Sequence, residues 1–124
     1  MKRQSHVAKL FLDIAARWEL SEDEQMKILG IGSAVNFQKF KSGQVKLSDG
    51  IIRKIFAVDA INEALKALLS EEGDFAGWIR KKQDCEMLCG KRPICLICSG
   101  EWENLCLVRH GIARECGRRM DYEY

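Results

Sequence analysis

The sequence predicts an all-α protein, and three observations carry that prediction. Apolar residues recur at helical spacing along most of the chain, and no segment sustains the two-residue alternation of a half-buried strand. Serines suited to capping precede three of the apolar runs, at Ser21, Ser33 and Ser48. Pro93, the one proline of 124 residues, stands between Gly90 and Gly100. There glycine can end one helix and proline can start another, since proline's fixed φ suits a first helical position.

Each element follows from its own residues. Val7, Leu10, Phe11, Ile14 and Trp18 give a first amphipathic helix. Ser21 with Glu24 forms a capping box opening a short helix through Met26, Ile28 and Leu29, closed at Gly30-Ile31-Gly32. Ser33 caps a third helix that turns Phe37 and Phe40 inward and stops near Gly43. Ser48 caps the longest, of about 22 residues, with Ile51, Ile55, Val58, Ile61, Leu65 and Leu68 on one face and its end near Gly73. A fifth helix is expected from Asp74 to Leu88, carrying Phe75, Trp78 and Ile79. Pro93 then starts a very short helix that buries Ile94, Leu96 and Ile97 and closes at Gly100. The last helix runs from Glu101 through Trp102, Leu105, Val108 and Ile112, and the polar tail from Glu115 to Tyr124 is expected to fray.

Composition narrows the function. With 47% hydrophobic and 31% charged residues, this is an ordinary globular composition, large enough for one domain or two small lobes sharing a core. No apolar run reaches the ~20 residues of a membrane helix. Lys2, Arg3 and the apolar stretch from Val7 to Ala16 resemble a signal peptide superficially. Asp13 interrupts that stretch and Arg17-Trp18-Glu19 follows it, so an amphipathic helix is expected instead. A cytoplasmic location, with the six cysteines as thiols, follows as an expectation. The formal net charge of +2 does not by itself announce a nucleic-acid binder.

Catalysis finds little footing. His6 and His110 lack a matching nucleophile or carboxylate nearby in sequence, and Gly30-Ile31-Gly32 has neither the third glycine nor the preceding strand of a phosphate loop. Cys85, Cys89, Cys95 and Cys98 could in principle supply four thiolates to zinc. Only five residues separate the two pairs, however, and the apolar pattern accounts for these positions as small buried side chains. No metal and no catalytic residue is therefore expected.

Two surfaces are candidates for binding. The order helix, short helix, glycine turn, short helix matches a helix-turn-helix. Its recognition helix would run from Ser33 to Lys41 and offer Asn36, Gln38, Lys39 and Lys41, with Lys46 beyond. Asparagine and glutamine can read adenine edges, and lysines can meet phosphates. At the other end Arg109, Arg114, Arg118 and Arg119 offer planar, multi-donor contacts, and Tyr122 and Tyr124 are amphipathic anchors of the kind that interfaces use.

Taken together, the chain resembles the Xre/MbcA/ParS family of bacterial antitoxins over residues 7 to 115. The first half does so through Trp18, Leu20-Ser21, Glu24, Ile28-Leu29-Gly30, Phe37, Phe40, Gly43, Leu47-Ser48 and Ile52-Arg53-Lys54-Ile55. The second does so through Ala76, Trp78-Ile79, Leu88, Gly90, Pro93-Ile94, Ile97, Gly100, Leu105 and Val108. It departs from the family where Lys81-Lys82-Gln83 stands in place of a Pro-Asn pair, and at Cys95 and Cys98. The resemblance implies a helix-turn-helix-like, dimerising lobe over residues 5–72 and a toxin-binding helical domain over 73–124. It also implies a type II toxin–antitoxin pair. The partner would be a cognate RES-domain toxin that consumes NAD or transfers ADP-ribose from it. The chain would occlude that toxin's active site as a homodimer, without cofactor or membrane, and repress its own operon by binding operator DNA. A stand-alone helix-turn-helix regulator without a toxin is the alternative, and a zinc-stabilised helical adaptor a third.

Overall fold

The computed structural model describes residues 2–44, 46–82 and 91–122, with side chains from His6 to Gly117 within those ranges, and every regular element among them is an α-helix. In chain order these are α1 (Lys2–Arg17), α2 (Glu22–Leu29), α3 (Ala34–Lys41), α4 (Asp49–Leu69), α5 (Phe75–Arg80), α6 (Pro93–Cys98) and α7 (Trp102–Tyr122). The three serine caps form as their sequence requires. Ser21 accepts from the Glu24 amide at 3.1 Å while its own amide donates to Glu24 Oε1 at 2.8 Å, a complete capping box. Ser33 caps the Asn36 amide and Ser48 the Ile51 amide in the same way.

One core runs through both halves of the chain. Phe11 of α1, Trp18 just beyond its end, and Phe37 and Phe40 of α3 pack into the same cluster as Ile55, Val58, Ile61 and Leu65 of α4 and Leu105, Val108 and Ile112 of α7. Phe11 meets Phe40 edge-on at 6.1 Å between ring centroids, a favoured aromatic arrangement. Asn62 is the buried polar residue among those described, and its Oδ1 accepts from Trp18 Nε1 at 3.0 Å. Each group thereby removes the other's desolvation cost.

α4 packs most extensively against α7, and the two run parallel. The Arg53 guanidinium lies over the Trp102 ring at 5.4 Å near their N-terminal ends, and Cys116 Sγ approaches the Ala67 carbonyl at 3.8 Å further along. Parallel neighbours need a return path, and residues 70–101 supply it through α5 and α6. Arg80 ties that path down. Its guanidinium donates to the carbonyls of Trp18, Ala76 and Glu19 and to Glu24 Oε1. The path ends at Gly100, whose φ of +69° is left-handed and where an added Cβ would lie 2.8 Å from the Lys27 carbonyl oxygen. The α6–α7 corner thus rests directly on the last turn of α2.

Four expectations need correction. α5 ends at Arg80 rather than near Leu88, and Lys81 is extended with φ −93° and ψ 140°. The reason lies in the sequence: after Ile79 the inward helical positions fall on Lys82, Gln83 and Glu86, which offer nothing apolar to bury. Leu88 and Gly90 themselves lie outside the described residues. The tail does not fray from Glu115, because α7 stays helical to Tyr122, with half-buried Cys116 still against α4. Trp102 is 46% exposed and does not face the core. Cys95 is likewise exposed, although the apolar pattern predicts it buried.

Candidate functional site

The α2–turn–α3 unit has the helix-turn-helix order, and its chemistry depends on how α3 is rolled. Phe37 and Phe40 are almost fully buried and define the inner face. On a 3.6-residue helix the opposite side then carries Val35, Gln38, Lys39 and Ser42, all exposed. Of the residues expected from sequence, Gln38 and Lys39 therefore project outward, and exposed Asn36 flanks them. Lys41 is turned back: its ammonium pairs with Glu22 at 2.9 Å and sits over the Phe37 ring at 5.2 Å. Such an exposed pair contributes ~0–1 kcal/mol, so a phosphate could displace it. Lys46 is exposed beyond the helix end.

Val35, 64% exposed at the start of α3, was not among the expected contacts. Its signal was available, because it lies opposite the midpoint of Phe37 and Phe40. An exposed apolar residue there suits a thymine methyl in the major groove. The acidic first turn of α2 (Glu22, Asp23, Glu24) does not leave three free charges facing an incoming phosphate. Glu22 is engaged by Lys41, and Glu24 by the cap and by Arg80.

On α7, Arg109 and Arg114 are both exposed. Five residues apart on a helix, they project roughly 140° from one another and do not form one patch. Arg109 shares its stripe with Trp102, seven residues earlier, and with Ala113. Arg114 shares the other with His110. The backbone of Arg118, Arg119 and Tyr122 continues α7, and Tyr124 lies outside the described residues. Trp102 is the residue on this helix that sequence reasoning assigned to the wrong side.

Among the described residues, no group of three or more histidine, cysteine, aspartate and glutamate side chains could hold a metal ion. Cys85 and Cys89 lie outside them. Burial, reinforced by the nearby Glu24 carboxylate, pushes the Cys98 thiol up to about 11. No described helix is long and apolar enough to cross a membrane.

No protein-family model matches this chain, and no solved structure matches it. It is similar to a Sinorhizobium fredii protein, uncharacterized protein y4oB, at 34% identity over 74 residues. That stretch is 60% of this chain and 57% of the relative, so the chain spans less than two thirds of the relative's length.

Proposed function

We propose that this chain is the antitoxin of a type II toxin–antitoxin pair, of the Xre/MbcA/ParS type. It would neutralise a RES-domain toxin by covering the entrance of its active site. One observation carries the reading most: the left-handed Gly100 corner, seated on the Lys27 carbonyl, holds α7 at a set angle and leaves Trp102 and Arg109 on its outward stripe. Burial and helix position of several residues that carry the resemblance are compatible with the reading. Ile79, Ile94, Ile97, Leu105 and Val108 are buried, and Pro93 is the first residue of α6. A guanidinium two turns along the same stripe from an exposed indole can engage carboxylates or phosphates while the indole meets an aromatic surface. The chemistry then belongs to the toxin, and this chain acts by occupation.

Co-expression with the neighbouring open reading frames tests this reading. A neighbour is expected to arrest growth alone, to be silenced by this chain and to co-purify with it. If no neighbour is toxic, or none co-purifies, the proposal fails. Deleting Arg114 to Tyr124 is expected to weaken inhibition while leaving the core helical; undiminished inhibition removes the tail from the interface.

A second reading, regulation of transcription through α3, is supported by the outward set of Val35, Gln38 and Lys39. It requires binding to operator DNA that weakens steeply with salt. Loss of that binding in K39A, with V35A relaxing sequence preference, would tie it to this face. Operator binding unaltered by both variants would dismiss the assignment.

A further inference from the structure

α6 turns four of its six residues inward. Pro93, Ile94, Leu96 and Ile97 are buried, and the two that remain are Cys95, exposed, and Cys98, half-buried. The outward edge of this helix is therefore made of thiols. Cysteine is ordinarily a buried residue, and on a surface its reactivity rather than its packing is what it offers. The pairing matters more here than either thiol alone. Residues three apart on a helix share a face, and their Cα atoms lie about 5 Å from one another, inside the ~4.4–6.8 Å that disulfides span.

The two thiols are unequal. Cys95 is open to a reagent in solvent, whereas Cys98 packs against the core near Glu24 and Lys27 of α2. That asymmetry sets the order of a thiol–disulfide exchange. The Cys95 thiol loses its proton to solvent, and its sulfur attacks one sulfur of a low-molecular-weight disulfide such as glutathione disulfide. A mixed disulfide forms and one glutathione thiolate leaves and is protonated. The Cys98 thiol then loses its proton to solvent, and its sulfur attacks Cys95 Sγ. The Cys95–Cys98 bond forms and the second glutathione leaves in the same way. Two protein thiols are oxidised and one glutathione disulfide is reduced to two thiols. Burial disfavours the Cys98 thiolate, so the second step is the slow one.

Closing the bond moves the end of α6. Helical neighbours three apart hold their Cβ atoms ~5–6 Å apart, while a disulfide needs ~3.5–4.5 Å, so the last turn must shift by about 1–2 Å. Cys98 is the last residue of α6, and the amides of Ser99 and Gly100 that follow donate to the Leu96 and Ile97 carbonyls at 3.3 and 3.2 Å. These are three-residue bonds with the poorer geometry of a 3₁₀ turn, and they yield first.

We propose that Cys95 and Cys98 form a reversible oxidation site, at which a low-molecular-weight disulfide bridges the outward edge of α6 and loosens the turn leading to Gly100. The inference stands apart from the antitoxin reading, since it uses only α6 and the turn that follows it.

The full chain, held at pH 8 in glutathione disulfide, then acid-quenched, alkylated and digested with trypsin, tests it. Trypsin spares the Arg92–Pro93 bond, so residues 92–109 form one peptide that carries Cys95, Cys98 and Cys106. That peptide is expected to be two hydrogens lighter than its dithiol form, alkylated only at Cys106, and restored by dithiothreitol. C98S is expected to stop at a glutathione adduct on Cys95; if it fails to fold, C98A replaces it. In the oxidised chain the Ser99 and Gly100 amides are expected to exchange hydrogen roughly two- to tenfold faster, as the loss of one hydrogen bond implies. A wild type that stops at the Cys95 adduct, a bridge from Cys95 to any other cysteine, or exchange at Ser99 and Gly100 unchanged by oxidation would each overturn the inference.

Discussion

Replacing Gly100 by alanine tests the corner on which the orientation of α7 depends. Two costs add at this position. An L-residue held at φ +69° gives up roughly 1–2 kcal/mol relative to glycine. The new Cβ would also meet the Lys27 carbonyl oxygen at 2.8 Å and the Ile28 carbonyl oxygen at 3.2 Å. Both are backbone atoms, so relief means moving the end of α2 or the α6–α7 corner, an overpacking cost of about 1–3 kcal/mol. G100A should therefore lose roughly 2–5 kcal/mol, a large share of the ~5–15 kcal/mol typical of a small domain. Two other glycines separate the terms. Gly30 is left-handed at +75°, but its nearest neighbour is the mobile Lys54 ammonium at 3.3 Å, so G30A should lose only the conformational ~1–2 kcal/mol. Gly32 has open space and no positive φ, so G32A should be neutral or more stable by ~0.4–1 kcal/mol. Urea unfolding followed by far-UV circular dichroism gives the three values from the midpoints at constant m. If G100A costs no more than G30A, the close approach of the corner to α2 is refuted.

Two further outcomes follow from named contacts. R80K keeps the charge but loses the planar fork that reaches three carbonyls and Glu24, so it should lose about 1.5–3 kcal/mol; unfolding equal to wild type would show that Arg80 does not anchor the return path. Peptide-resolved alkylation should modify exposed Cys95 well before Cys98 at pH 8. The Cys98 thiol is raised from 9.0 to about 11, so the unfolded chain loses that proton first. Its contribution to stability is intact below pH 9 and declines as pH rises towards 11, and equal labelling rates at pH 8 would refute the burial argument.

The order of the described helices and most of their boundaries were legible in the sequence because they rest on local chemistry. A serine three residues ahead of an amide it can cap, or a proline at a first helical position, needs no tertiary information. The end of α5 was legible too, had the inward positions after Ile79 been followed to Lys82, Gln83 and Glu86. Other features depend on where helices meet. Trp102 fits the apolar period of Leu105, Val108 and Ile112, but α7 is rolled so that the indole receives Arg53 from α4 instead. Lys41 looks like a free phosphate contact until α2 brings Glu22 beside it. The division of α7's arginines into two stripes follows from the five-residue step between Arg109 and Arg114.

The parallel pairing of α4 and α7 explains why these features occur together. Antiparallel helices can be joined by a few residues, but parallel ones require the chain to travel back the length of the first, about 31 Å for the 21 residues of α4. Residues 70–101 make that journey, and their described helices, α5 and α6, are very short and anchored rather than self-sustaining. Isolated helices of six residues do not form in water, so both depend on tertiary ties. Arg80 supplies one tie and the Gly100 approach to α2 the other. Because α7 comes back beside α4 in the same direction, Trp102 falls next to Arg53 at the start of the pair. Loosening the Gly100 corner should therefore act at a distance: G100A is expected to free Trp102 from Arg53 as well as to cost stability, which appears as faster oxidation of Trp102 by N-bromosuccinimide, read peptide by peptide. A G100A chain that remains folded and oxidises Trp102 at the wild-type rate would show that the corner and the start of α7 are independent.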